Sequence, residues 1–234
     1  MTKIVLALNT DTSADALGFL ERIGAGVDVY KLGMDLFTRT GPGVVREFAG
    51  RGAQVFLDLK FSDIPSVVGK AVSAAAELGV AMLTVHTMGG PKMLEAAAEA
   101  ADKSPAKPLV LGVTVLTSLD EAALERVTGR RQPAAERVQA LALMAKESGC
   151  GGVVASPREI GIIKAACGKE FKVVTPGIRM STDSSDDQAR TMTPAEAARA
   201  GADYIVVGRP VYAAADPQAA LAAIRGELNR GGGQ

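Results

Sequence analysis

Short apolar runs alternate with longer amphipathic stretches along the whole of this 234-residue chain. Eight runs have the length and bounding of buried strands: 4–9, 29–33, 55–60, 82–86, 109–115, 152–156, 172–176 and 204–208. They are rich in Val, Ile and Leu, and all but 109–115 end on polar, Gly or Pro residues, the pattern of strands covered on both faces. Between them lie helical stretches, among them 65–78, 91–103, 133–148 and 194–200. Each of these four opens on proline, at Pro65, Pro91, Pro133 and Pro194. A fixed φ and a missing N–H suit the first helical turn. Gly79, Gly149 and Gly201 follow three of them, where helices commonly stop. Strand and helix in strict alternation imply parallel βαβ units. Eight units in this length predict an α/β fold, a (β/α)8 TIM barrel, whose typical size is about 250 residues. No break in composition divides the chain, so a single domain is expected over 1–229, with a flexible glycine-rich tail at 230–234.

Barrels of this kind carry their active sites at the C-terminal ends of the strands. Those ends hold Asn9, Lys31, Asp58, Lys60, His86, Thr117, Arg179 and Arg209. The densest is Asp58-Leu59-Lys60-Phe61-Ser62-Asp63-Ile64-Pro65, entered through the apolar Val55-Phe56-Leu57. Side chains alternate along a strand, so Asp58 and Lys60 point the same way. Neighbouring carboxylates favour the charged form of a lysine, which suits Lys60 to donate a proton rather than attack as a nucleophile. Lys31 closes the second run and completes an alternating Lys-Asp-Lys-Asp set with Asp58, Lys60 and Asp63. The plainer alternatives are a lysine reaching solvent and an ion-pair cluster where a strand meets a helix.

A second constellation suits an anion. Thr175-Pro176-Gly177-Ile178-Arg179 ends the seventh run and Val207-Gly208-Arg209-Pro210 the eighth. The loops after these two strands commonly hold a phosphate in such barrels. Gly208 lets backbone N–H groups approach an anion, and Arg209 offers a bidentate fork. Alone, Gly-Arg-Pro reads as an ordinary turn; paired with the other turn it reads as a phosphate site. The polar stretch 180–193 is long enough for an active-site lid, with a surface insertion as the alternative. His86 reads as a hydrogen-bonded structural residue near the barrel mouth rather than a catalyst. Thr117 either bonds a ligand or caps the chain.

Composition narrows the classes. Lys+Arg and Asp+Glu are 26 each, so no global field draws the chain to nucleic acid or a membrane surface. One histidine excludes a multi-histidine metal site. Cys150 and Cys167 make no disulfide framework and suit buried thiols of a reduced, cytoplasmic protein. The apolar stretch after Met1-Thr2-Lys3 is too short for a signal segment or a membrane span.

With its order and spacing, the set Lys31-Leu32-Gly33, 56–65, 85–90, 113–118, 174–179, Asp187-Gln188, Met192-Thr193-Pro194 and 207–210 resembles the bacterial orotidine 5'-phosphate decarboxylases over essentially the whole chain. The resemblance implies a dimeric barrel that converts orotidine 5'-phosphate to uridine 5'-phosphate in de novo pyrimidine biosynthesis without metal or other cofactor. It implies that Lys60 protonates C6 of the pyrimidine as carbon dioxide leaves, with Lys31, Asp58 and Asp63 completing the charged set. Asp63 and Ile64 would reach into the partner subunit's site. Thr117 matches a pyrimidine contact, and Pro176 lies in the turn beside it. Arg179, Gln188, Gly208 and Arg209 match the phosphate grip, Gln188 coming from the lid. Two positions depart from the family pattern. Asn9 stands where the first strand usually ends in Asp, a ribose contact near the lysine matched by Lys31. Val67 stands where a Thr usually follows Ile-Pro-x.

Two rival readings remain. A barrel enzyme with a D-x-K-x-x-D motif and Mg²⁺ needs further carboxylates at neighbouring strand ends, where this chain has Asn9, Lys31 and His86. A non-catalytic nucleotide-binding protein is favoured only by Asn9.

Overall fold

In the computed structural model, which describes residues 1–180 and 191–232, eight parallel strands close into a barrel in chain order. They are β1 (Lys3–Leu8), β2 (Val29–Gly33), β3 (Val55–Phe61), β4 (Met82–His86), β5 (Leu109–Val113), β6 (Gly152–Val154), β7 (Lys172–Thr175) and β8 (Tyr204–Val207). Closure is made by β1 pairing with β8, with Val5 opposite Val206. The expected (β/α)8 barrel is the fold observed.

Period-two alternation builds two cores from the same strands. Inside the barrel, Val5, Val29, Phe56, Met82, Leu111 and Val174 form a plug. The intervening positions, such as Ile4, Leu6, Leu32, Leu57 and Leu83, pack outward against the helices. The plug closes the barrel below its C-terminal rim, so polar side chains farther along the same strands open into a cavity instead of a channel.

Helix boundaries follow the expected chemistry. Proline occupies the first turn of the helices Pro65–Glu77, Pro91–Lys103 and Pro194–Ala200. Pro133 caps the helix Ala134–Glu147 instead of entering it. β1, β7 and β8 end one residue short of the apolar pattern, and β5 and β6 end two short. β5 stops at Val113, and both the amide and the hydroxyl of Thr114 donate to the Val154 carbonyl, at 3.2 and 3.0 Å. β6 stops at Val154, because Ser156 starts a capped turn, its amide donating to Glu159 Oε2 at 2.9 Å. The last helix, Pro217–Gly231, takes in Arg230 and Gly231, the first two residues expected in the tail, and Gly231 is buried. A Cβ on Gly231 would lie 2.3 Å from the Ala195 carbonyl oxygen. Cys150 and Cys167 are buried thiols.

Gly152 sets the closest approach of β6 to β7. A Cβ there would come within 2.4 Å of the Lys172 carbonyl oxygen and 2.8 Å of the Lys172 Cβ. The Lys172 carbonyl and Cβ are fixed to the β7 backbone and cannot swing away as the end of a side chain can. Gly152→Ala is expected to destabilise the barrel by about 1–3 kcal/mol. A lower urea midpoint at unchanged m-value checks this, and an unshifted midpoint contradicts it.

Candidate active site

The strand ends on one rim enclose a cavity of about 310 Å³. Its lining includes Asn9, Lys31, Asp58, Lys60, Thr117, Pro176, Arg179, Gly208 and Arg209. Val113, Val115, Val154 and Val206 supply apolar wall between the charged groups. Seven of the eight polar strand-end positions singled out from the sequence therefore share one space. The exception is His86, which lines a neighbouring apolar cavity with Met88 and Leu124. Its Nδ1 accepts from the Met88 amide at 3.3 Å, the structural role expected of it. Burial, with the charge of Lys60, lowers its pKa.

Asp58 is the centre of the site. Its Oδ2 lies 3.2 Å from Lys31 Nζ and its Oδ1 2.9 Å from Lys60 Nζ. The three side chains are 13%, 14% and 28% exposed, so the pairs are largely withdrawn from water. Burial by itself would raise the Asp58 pKa. The charges of Lys31 and Lys60, with hydrogen bonds from Lys60 and Thr84, outweigh it and hold the carboxyl below its ordinary range.

Thr84 was not singled out from the sequence. It is fully buried on β4, donates its hydroxyl to Asp58 Oδ1 at 3.0 Å and accepts the Lys60 amide at 2.8 Å. The available signal was its place two residues before His86, a polar inward position in Met82-Leu83-Thr84-Val85-His86. Lys60 was expected on a regular strand. Instead its φ is +51°, and the β3–β4 register shifts between Leu57 and Phe61. The local bulge re-aims the ammonium while keeping it on the Asp58 side.

Asp63 does not join the other three within one chain. Its Oδ1 accepts from the Ile64 amide at 2.6 Å, and it makes no ion pair with Lys31 or Lys60. The next residues are apolar and open: Ile64 is 63% and Val67 44% exposed. Across the rim, Gly177 has φ +81°, a turn that favours glycine, and Arg179 donates to the Ile178 carbonyl at 3.0 Å. Met192 and Gly177 are joined backbone to backbone, as are Arg179 and Met192. Gly208 caps the short helix Arg209–Tyr212. Gln188 and most of the stretch 180–193 lie outside the described residues.

Asp58 is the sole carboxylate among the described lining residues, and lysines and a hydroxyl already occupy its oxygens. No group of three or more His, Cys, Asp or Glu side chains suited to a metal gathers among the described residues. Among them, no helix is long and apolar enough to cross a membrane.

Comparison with known proteins gives a consistent picture. The model of the Orotidine 5'-phosphate decarboxylase / HUMPS family matches residues 2–224. Orotidine 5'-phosphate decarboxylase of Syntrophotalea carbinolica is 48% identical over 231 residues, 97% of this chain and 94% of that one. The enzyme of that name from Saccharophagus degradans is 48% identical over 228 residues, 97% of this chain and 95% of its own. The crystal structure of orotidine 5'-phosphate decarboxylase from Lactobacillus acidophilus superimposes with TM-score 0.86 at 37% identity, covering 98% of this chain and 100% of that one.

Because the folded-state pKa of Asp58 is depressed, its ionisation contributes stability above the unfolded carboxylate pKa of about 3.9. That contribution is lost as pH falls from there through the lower folded value. Asp58→Asn also strands two partly buried ammonium groups. It is expected to cost about 1–3 kcal/mol at pH 7. The gap between variant and wild type should narrow as pH falls below about 4. Urea titrations across pH measure it, and a gap independent of pH contradicts the assignment.

Proposed function

The chain belongs to the orotidine 5'-phosphate decarboxylase / HUMPS family, on the decarboxylase side of it by its relatives, and from that membership we propose that it decarboxylates orotidine 5'-phosphate to uridine 5'-phosphate in pyrimidine biosynthesis, in the cytoplasm and without a cofactor. The observation that carries the mechanism is the Asp58 carboxylate held between Lys31 and Lys60 at the rim of a cavity that Arg179 and Arg209 also line.

The C6–carboxylate bond breaks, its electron pair stays on C6, and Lys60 Nζ–H supplies the proton that replaces carbon dioxide. Solvent then returns a proton to Lys60. The developing carbanion has no electron sink in the ring, so a positioned ammonium must stabilise it where the charge appears. Asp58 is the anion that crowds the departing carboxylate, and Lys31 holds Asp58 from its other oxygen. Thr117 and Pro176 contact the base, with apolar wall on either side. Gly208, Arg209, Arg179 and Gln188 grip the phosphate, so that binding energy from the nonreacting end offsets the crowding at C6.

The working unit on this reading is a homodimer with shared sites. Asp63, which pairs with neither Lys31 nor Lys60 of its own chain, and the exposed Ile64 and Val67 support that reading. Neither nucleic acid nor a membrane is a partner.

Turnover of orotidine 5'-phosphate, measured with and without EDTA, tests the activity; activity that depends on metal sinks the cofactor-free mechanism. Lys60→Ala should abolish turnover while nucleotide binding persists. Mixing inactive Lys60→Ala and Asp63→Ala chains should regenerate one intact site per heterodimer. No recovery, with subunit exchange confirmed, removes the shared site.

Asn9 lines the cavity where the family pattern has a carboxylate. A charged acceptor bonds about twice as strongly as a neutral one. Asn9→Asp is therefore expected to raise kcat/KM by roughly one to two powers of ten, for about 1.5–3 kcal/mol regained. Unchanged or lower activity would mean that the amide is adapted to this site.

A further inference from the structure

We propose that Thr84 is a positioning residue of the reaction, fixing the backbone of Lys60 so that its ammonium meets the reacting carbon. The inference rests on Lys60 being the proton donor. Thr84 sits on β4 with no solvent exposure, among inward positions that are otherwise filled below it by the apolar plug. A valine would pack there equally well, so the hydroxyl is present for its hydrogen bonds. It has one proton to give, and that proton goes to Asp58 Oδ1 at 3.0 Å. Its lone pair takes the Lys60 amide at 2.8 Å.

Lys60 Nζ returns to the same Asp58 oxygen at 2.9 Å. Three hydrogen bonds therefore close a ring that runs from the Lys60 amide through Thr84 and Asp58 to the Lys60 ammonium. The ring holds both ends of one side chain. It does so at the single residue of β3 with positive φ, where a non-glycine backbone is disfavoured and must be held by its surroundings. Other contacts hold Asp58, through Lys31 as well as Lys60. The amide of Lys60 is held by Thr84.

Removing the hydroxyl should therefore loosen the acid and leave the phosphate end of the cavity untouched. For Thr84→Val, kcat should fall on the order of ten- to a hundredfold, the scale of a small misplacement of a reacting group. KM and the affinity for uridine 5'-phosphate should stay within about threefold. Thr84→Ser, which keeps the hydroxyl, should recover most of kcat. Amide hydrogen exchange at Lys60 should quicken in the valine variant and not in the serine one.

The exchange measurement does not depend on turnover. Were the wild type inactive on orotidine 5'-phosphate, the functional reading would fall while exchange still decided the anchor. If valine disturbs folding, Thr84→Ala is read in the same way against serine. Unchanged kcat in the valine variant overturns the proposal. So does a loss carried mainly by KM, serine behaving like valine, or unaltered exchange at Lys60.

Discussion

A carboxylate buried between two ammonium groups is the interaction on which the rim of this barrel depends. Withdrawing any one of the three charges from water costs several kcal/mol, and only mutual pairing with good geometry offsets it. Asp58 meets that condition with a lysine on each oxygen and a hydroxyl besides. Two ammoniums against one carboxylate leave an excess positive charge facing the cavity. Arg179 and Arg209 line the same cavity, after β7 and β8. On the proposed reading such a cavity takes a ligand that is anionic at both ends and holds it less well once one charge is gone.

The barrel beneath makes this affordable in conformational terms. Its plug of Val5, Phe56, Met82 and Leu111 holds the strands at fixed spacing, so residues at their ends need little ordering of their own. The cost is concentrated at Lys60, whose left-handed backbone breaks the register of β3 with β4. Strain of that kind runs to about 1–3 kcal/mol where it persists. It persists here because the bulge is anchored from β4 and its side chain is tied to Asp58.

Much of the fold was legible because two periodicities and two residue types carried it. Short apolar runs marked the strands and amphipathic stretches the helices, and proline and glycine marked helix ends. Strand ends at Val113 and Val154 were misjudged because an apolar pattern does not encode where pairing stops, as at β6, where Ser156 opens a capped turn. Gly231 was read as tail because composition does not reveal packing against Ala195. At the site, charged strand ends were legible as a group. Thr84 was not, since a single threonine in an apolar strand is ordinary until its partners are known. The bulge at Lys60 was hidden for a related reason: a regular strand and a bulged one both bring Lys60 to the side of Asp58.

The rim divides the labour by strand. β2 and β3 bring the close-set charges, β5 and β6 the apolar wall, and the turns after β7 and β8 the arginines and the glycines that open the backbone. A parallel barrel keeps these sectors apart because each strand delivers its residues at its own angle about the axis. On the proposed reading that separation is what allows tight binding and ground-state crowding together. Attraction acts on the phosphate at one side of the cavity while repulsion from Asp58 acts on the carboxylate at the other, and a rigid substrate bridging the two cannot relax away from either. Only loss of carbon dioxide relieves the crowding, and the ammonium that then faces the new carbanion is already in place.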